Sequence, residues 1–338
     1  YAPSLQSVGD ELAVSRRAPS GSVSTMQPTY SEEAEAYREK VQAFLAEKLP
    51  SNWEGIGALQ GEEIDEFVTE WRKTLYEANY LAPGWPVEYG GAGLSATEQV
   101  ILAEEFAKAG VVTGGPNDVF GIQMLGNTLL MWGTEEQKQY YLPRILSGED
   151  TWCQGYSEPD AGSDLGNVGL RAELDGDEWV LNGQKIWTSA GHLADHIFTL
   201  ARTDPDSPKH KGISFLLVPM EQPGIEVRPI KMISGDSEFN EVFYTDARCP
   251  KDNVVGGVNN GWAVAMSLLG FERGEAAATG PIRYQAELDR LIGLARERGL
   301  TDDPVIRQRL AWCHSKVQIM KFLGQRTLTQ FLAGHHPG

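Results

Sequence analysis

Residues Trp152–Gly191 read WCQGYSEPDAGSDLGNVGLRAELDGDEWVLNGQKIWTSAG, and the reading of this stretch decides the fold. Two polar segments of small residues, Ser157–Asp164 and Trp187–Gly191, are separated by a β-prone run. Asp175-Gly176-Asp177 precedes Glu178–Leu181, and Asn182-Gly183 precedes Gln184–Trp187. An Asn-Gly pair between β-prone segments predicts a hairpin turn. Trp187 and Ser189 then share one face of the outgoing strand, with Thr188 on the other. A flat aromatic beside a hydroxyl offers a planar heterocycle a stacking surface and an edge donor. The same pair equally fits a sheet tryptophan next to a solvated serine.

Upstream of this stretch the pattern is helical. Ser31 with Glu32 and Glu33 opens a helix in which Tyr37, Val41, Phe44, Leu45 and Leu49 recur at helical spacing until Pro50. Ile64, Phe67, Val68, Trp71 and Leu75 predict a second helix. Pro83–Gly93 is too rich in breakers for regular structure. Ser95-Ala96-Thr97-Glu98 and Thr134-Glu135-Glu136-Gln137 are capping boxes, each opening a further helix. Residues 31–150 therefore read as an all-helical domain.

Downstream the period changes to two. Ile197–Arg202, Ile213–Val218 and Val242–Tyr244 are short β-rich runs separated by turn clusters, so 151–255 reads as a compact β domain. Helix resumes at Trp262, and Asp303 before Pro304 caps a helix whose buried stripe is Ile306, Leu310, Cys313, Val317 and Met320. Residues 256–338 read as a C-terminal helical domain. The fold class is α+β.

The 338 residues are 41% hydrophobic, ample for a large shared core, and no apolar run reaches the length of a membrane span. With 29 basic and 47 acidic residues the formal charge is −18, which argues against nucleic acid or an anionic membrane as partner. Cys153, Cys249 and Cys313 are sparse and odd in number, so no disulfide framework is expected. They share no metal-ligand spacing with the histidines, and His335-His336 reads as a surface pair. Tyr1–Thr25 lacks the apolar core of a secretory signal, so 1–30 reads as a flexible extension, with Met26 a candidate initiator. A reducing bacterial cytosol fits better than a mitochondrial matrix.

Gly155-Tyr156-Ser157-Glu158-Pro159-Asp160-Ala161-Gly162-Ser163-Asp164 resembles the signature of the acyl-CoA dehydrogenase family. Asn182-Gly183-Gln184-Lys185-Ile186-Trp187-Thr188-Ser189 resembles its second flavin segment. A ten-residue and an eight-residue match at the family's separation is far more specific than a lone glycine fingerprint. The resemblance runs from about residue 31 to the end. It implies an N-terminal helical domain, a central β domain, a C-terminal helical bundle, bound FAD, and α,β-dehydrogenation of an acyl-CoA thioester. A base takes the proton next to the carbonyl while a hydride leaves the β carbon for flavin N5, giving a 2-enoyl-CoA. Electrons then pass to an electron-transferring flavoprotein. The thioester oxygen must accept hydrogen bonds as enolate character develops, and one of the family's donors lies on a late loop that this sequence lacks.

The resemblance also implies roles for particular residues. Glu272, in Leu268-Leu269-Gly270-Phe271-Glu272-Arg273-Gly274, matches the family's base on the first long helix after the β domain, with Glu275 as fallback. The bland alternative pairs Glu272 with Arg273 or a neighbouring helix. Trp187 matches the residue that lies against the isoalloxazine, and Ser189 one that bonds near N5, with Thr188 between them. Ser157 faces the pyrimidine edge, Gln154 and Tyr156 flank it, and Gly162 with Ser163 meets the diphosphate and the pantetheine arm. Small residues there let backbone N–H groups approach phosphate. Gly270, Phe271 and Arg273 are expected on the substrate side, and Arg298 matches an arginine reaching a neighbouring subunit's FAD.

Two departures stand out. The sequence ends at Gly338, where family members continue through further helices, which leaves open a truncated chain, a missing remainder or a short subunit of a mixed assembly. Arg298 is followed by Gly299-Leu300-Thr301-Asp302-Asp303-Pro304 rather than a Phe-Gly segment that grips FAD across a dimer. The pattern is similar to a bacterial branch acting on bulky or unusual acyl-CoA substrates. Beside a homo-oligomeric dehydrogenase, a homotetramer or dimer, two alternatives remain: a low-activity subunit of a hetero-oligomer, and a flavin oxidase or monooxygenase.

Overall fold

The computed structural model describes the backbone of residues 31–271 and 274–332, and the side chains of 31–270 and 280–326. The extension read over 1–30, the candidate base Glu272, its neighbour Arg273 and the His335-His336 pair lie outside the described residues. So do the side chains of Phe271 and Glu275.

Helix formation at the N-terminal end follows the local signals. Ser31 accepts a hydrogen bond from Ala34 N and caps α1 (Glu32–Lys48), which buries Tyr37, Val41 and Leu45. The second helix, α2 (Glu62–Glu77), buries Trp71 and Leu75. Reciprocal capping boxes at Ser95 with Glu98 and at Thr134 with Gln137 open α3 (Ala96–Ala109) and α5 (Glu135–Ser147). Between these two helices, Val119–Gly126 winds as a π-helix and runs on into α4 (Asn127–Trp132).

The breaker-rich loop before α3 is a seat for one side chain. Trp85 is buried, and its Nε1 donates to Asn127 Oδ1 at 3.2 Å. A Cβ placed on Gly126 would lie 1.9 Å from Trp85 Cζ2, and one on Gly91 would lie 2.2 Å from the Trp85 carbonyl oxygen. Only hydrogen fits at either position, which explains the glycines beside an aromatic.

The β domain is one mixed eight-stranded sheet. Its strands are β1 (Trp152–Gly155), β2 (Arg171–Asp175), β3 (Glu178–Ser189), β4 (His196–Arg202), β5 (Ile213–Pro219), β6 (Ile225–Ile230), β7 (Phe239–Pro250) and β8 (Val254–Val255). The order is β6-β7-β3-β2-β4-β5-β8, with β1 parallel to β4. Alternation divides the central strands between two cores. Phe198, Leu200, Phe215 and Leu217 join the core of the helical domain. Ile197, Ala201, Leu216 and Val218 join a second core with Trp179, Leu181, Val242 and Tyr244 of β3 and β7. Burial on both faces is why β4 and β5 read as nearly continuous apolar runs, interrupted at Thr199 and Ser214.

One sequence expectation fails here. No hairpin turns at Asn182-Gly183, because β3 runs straight through these residues. The hairpin lies one turn earlier, with Asp175 opposite Glu178. Asn182 instead serves the neighbouring strand: its Oδ1 accepts from Asp246 N at 2.9 Å, and its Nδ2 donates to Asp246 Oδ1 at 3.0 Å. The register steps from Leu181↔Ala247 to Gly183↔Tyr244, two residues on β3 against three on β7. Asn-Gly therefore lies opposite a bulge.

The C-terminal part comprises α6 (Gly261–Phe271), α7 (Gly274–Glu297) and α8 (Pro304–Leu332). A Cβ on Gly261 would lie 2.4 Å from the Ser214 carbonyl carbon, so glycine there lets α6 start directly on β5. The third helix, α8, opens as expected, with Val305 N and Ile306 N donating to Asp303 Oδ1 at 2.8 and 3.0 Å. Its stripe is less buried than the spacing implies. Val317 is buried, Ile306, Leu310 and Cys313 are half-buried, and Met320 is exposed. Trp312, Ile319, Phe322 and Leu323 are also exposed, because α8 is apolar on more than the face that meets α7. Among the described residues no helix is long and apolar enough to cross a membrane.

Candidate functional site

The two motifs meet at a second irregularity of β3. Pairing with β7 steps from Lys185↔Val242 to Thr188↔Asn240, now three residues on β3 against two. The extra residue turns the chain over. Trp187 takes a left-handed backbone, φ +62°, and its indole is 58% exposed, while Thr188 is buried. The free N–H of Ile186 donates to the Ser157 carbonyl at 2.9 Å, tying the second motif to the first. Phe239 packs edge-on to the indole, with ring centroids 6.1 Å apart.

Below this junction lies a buried ion pair that sequence reasoning missed. Lys185, with no exposed side-chain surface, donates to the Tyr156 carbonyl at 3.1 Å and to Glu158 Oε1 at 2.7 Å. Burial pulls the ammonium pKa down to about 8, the Glu158 charge offsetting part of the shift. Glu158 also accepts from Gly169 N at 2.6 Å and Leu170 N at 2.9 Å, so its carboxylate gathers three segments. A signal for this existed. Lys185 has the parity of Trp179 and Leu181, both on the buried face of β3.

The remaining expected residues fall as follows. Gln154 is half-buried on β1, and its Nε2 is buried without a partner among the described residues. The Tyr156 ring is core, edge-on to Phe198 and Phe215 at 6.2 and 6.5 Å, so its carbonyl rather than its ring belongs to the junction. Ser157 and Ser189 are half-buried. Gly162 and Ser163 lie exposed beyond a tight turn closed by mutual backbone hydrogen bonds between Glu158 and Ala161. Thr188 turns its side chain inward and its carbonyl accepts from Asn240, so its side chain is not presented with Trp187.

Gly270 is exposed near the end of α6, a helix that packs on β5 and on the π-helix. The π-helix in turn packs on β1, which places it between the first motif's strand and the helix leading to residue 272. Helices with this winding recur at functional sites, and no spacing in the sequence signals it. Arg298 is not brought to the junction. It lies exposed in the turn between α7 and α8, and α7 packs chiefly on α3 and α8.

A helical domain, a two-faced sheet and a helical hairpin, with an upturned indole beside two small-residue turns, make up the α+β architecture expected from the sequence. The chain matches the acyl-CoA dehydrogenase N-terminal domain over residues 31–149, the middle domain over 153–247 and the C-terminal domain over 259–338. It is 44% identical over 303 residues to acyl-CoA dehydrogenase IpdE1 of Mycobacterium tuberculosis, spanning 88% of this chain and 78% of that relative. Among solved structures, the Tcur3481-Tcur3483 steroid ACAD superposes with a TM-score of 0.77 at 35% identity, covering 91% of this chain and 79% of that one. The ChsE4-ChsE5 complex from Mycobacterium tuberculosis superposes with a TM-score of 0.73 at 32% identity, covering 90% and 78%.

The chain belongs to the acyl-CoA dehydrogenase family, and it is an oxidoreductase of that family. Members are FAD-dependent flavoproteins, and the residues present fit that cofactor. An exposed indole held in a left-handed backbone, a Gln154 amide nitrogen without a partner among the described residues, and an exposed turn of small residues at Gly162 and Ser163 fit a flavin ring and a diphosphate.

Proposed function

We propose that the chain removes two hydrogens across the α,β bond of an acyl-CoA thioester, with Glu272 as the base. The observation that carries this reading is the junction itself, where Trp187 stands upturned and the Ile186 N–H binds the Ser157 carbonyl in a chain matched along its length by one family. Bound FAD supplies the hydride acceptor. Trp187 provides its stacking surface, Ser157 and Ser189 hydroxyls bond its edge, and Gln154 and Tyr156 flank it. The Pro159–Ser163 turn offers backbone N–H groups to phosphate and to the pantetheine arm. Glu272 takes the α proton from the face of the acyl chain opposite the flavin. Gly270, Phe271 and Arg273 line the substrate side. An electron-transferring flavoprotein takes the electrons, and the reaction runs in the bacterial cytosol.

A second reading concerns assembly and substrate. Two of the structural relatives are named as pairs of components, and one of them is called a steroid ACAD. Here Tyr284, Leu291, Trp312, Ile319, Phe322 and Leu323 leave apolar surface exposed on α7 and α8. Exposed apolar residues of this kind are available to a further helix or to a second subunit. We therefore propose a homo- or hetero-oligomer acting on a bulky, steroid-type acyl-CoA, with Arg298 at the subunit boundary.

Anaerobic mixing with a panel of acyl-CoA thioesters, monitored at the flavin's long-wavelength band, tests both readings. Bleaching by one thioester class establishes the reaction and narrows the substrate. Glu272→Gln is expected to keep FAD and bind acyl-CoA while losing flavin reduction. Reduction by that variant at close to the wild-type rate removes Glu272 as the base. Colourless protein that turns yellow only with a second subunit supports the hetero-oligomer, and rapid reoxidation by air supports an oxidase.

A further inference from the structure

Trp187 is held in a conformation that side-chain-bearing residues avoid. Its φ of +62° is left-handed, and Ala190, three residues on, is left-handed too at +52°. Such backbones persist only where the surroundings over-determine them. Upstream, the Ile186 N–H is fixed on the Ser157 carbonyl. Downstream, the restraint is a side chain. Asn240 pairs directly with Thr188 in the β3–β7 register and is fully buried. Its Nδ2 donates to the Thr188 carbonyl at 2.9 Å and, more weakly, to the Glu238 carbonyl at 3.4 Å. The Glu238 carbonyl in turn accepts from Ala190 N at 2.8 Å. One amide group therefore ties together the two left-handed turns that bracket Thr188 and Ser189.

We propose that Asn240 is a positioning residue for the flavin site: its amide holds the Thr188 carbonyl, and through it sets the angle at which Trp187 presents its indole. This rests on the reading of Trp187 as the flavin's stacking surface. Asn240 touches no ligand, since none of its surface is exposed. Two observations set it apart from ordinary core filling. Asn240 Oδ1 is buried without a hydrogen-bond partner among the described residues, as is Thr188 Oγ1 beside it. An unsatisfied buried acceptor is unfavourable, and an apolar residue of the same size avoids it, so what the position needs is the amide's donor. The second is the close approach of Gly191 to the Thr188 side chain. A Cβ on Gly191 would lie 3.0 Å from Thr188 Cγ2 and 3.4 Å from Asn240 Nδ2.

The test is a double-mutant cycle on FAD dissociation from the purified holoenzyme, together with the visible circular dichroism of its flavin. Asn240→Leu keeps the number and branching of the side-chain heavy atoms and removes the donor. It is expected to weaken FAD at least tenfold and to alter the flavin dichroism in the wild-type background. In a Trp187→Ala background it is expected to change FAD affinity less than twofold, because no indole remains to be aimed. Equal losses in both backgrounds overturn the inference. So does a variant that melts earlier yet binds FAD unchanged, which assigns Asn240 a structural role alone. If Trp187→Ala by itself leaves FAD affinity and dichroism unchanged, the stacking reading fails first and the inference falls with it. Should Asn240→Leu not fold, Asn240→Ala, which removes the amide without adding bulk, goes through the same cycle and is judged by the same outcomes.

Discussion

Replacing Lys185 with methionine is the perturbation whose cost the structure defines most closely. Lys185 is fully buried and the Glu158 side chain is 10% exposed, so solvent screens their pairing little. Methionine fills the aliphatic volume but leaves the Glu158 carboxylate with the Gly169 and Leu170 N–H groups and the nearby Arg202 charge, and the Tyr156 carbonyl loses the Lys185 donor. Breaking a buried pair from one side costs about 3–5 kcal/mol, because a charge is left uncompensated. At about 2 °C for each kcal/mol in a chain of this size, the melting temperature should fall by roughly 6–10 °C. Lys185→Met with Glu158→Leu removes both charges and should recover much of that loss. The ammonium adds a pH signature. Its folded pKa of about 8 lies below the ordinary lysine value of 10.5, so between those pH values the unfolded chain holds more of the proton and stability rises with pH. Wild type minus variant isolates that slope from the other groups that titrate there. Thermal melts across this window decide the matter. A single-variant loss below about 1 kcal/mol, or a slope identical in variant and wild type, refutes the buried-pair account.

Gly126→Ala should destabilise by about 3 kcal/mol or more, since its Cβ would overlap the Trp85 ring at 1.9 Å; a melt within 1 °C of wild type contradicts that seat. Burial holds His196 neutral below its ordinary pKa of 6.5, with Asp150 and Asp195 favouring its charged form and Arg144 opposing it. The unfolded chain therefore takes the proton first on acidification, and stability falls as pH drops below about 6.5. His196→Phe should flatten that fall in chemical-denaturation curves between pH 7.5 and 5.5, and an unchanged slope assigns it to carboxylates instead.

Where local chemistry settled the structure, the sequence could be read directly. The capping boxes at Ser95 and Thr134 and the cap at Asp303 need only a few consecutive residues, and all three form as expected. The change of period near residue 151 showed the sheet for a similar reason, since burial on one or both faces leaves its mark on each strand separately. Asn182-Gly183 misled because its turn chemistry is also what faces a bulge, and the bulged residues lie on β7, some sixty positions away. The π-helix at Val119–Gly126 left no trace because its winding is set by packing against β1, α5 and α6 rather than by spacing.

The face on which Trp187 stands shows how the site is made. Strict alternation along β3 puts Trp179, Leu181, Lys185 and Trp187 on one face, and the first three are buried. An unbroken strand would send the indole into the core with them. The single extra residue between Lys185 and Thr188 reverses the parity, so that Thr188 takes the buried place and Trp187 the open one. Both ends of that reversal are held by buried polar side chains, Lys185 through Tyr156 and Glu158 before it and Asn240 through the Thr188 carbonyl after it. Neither has a reason to be buried in a regular strand. Their presence inside β3 and β7 is accounted for by the reversal, and the reversal by the need to leave an aromatic surface uncovered where the two motifs meet.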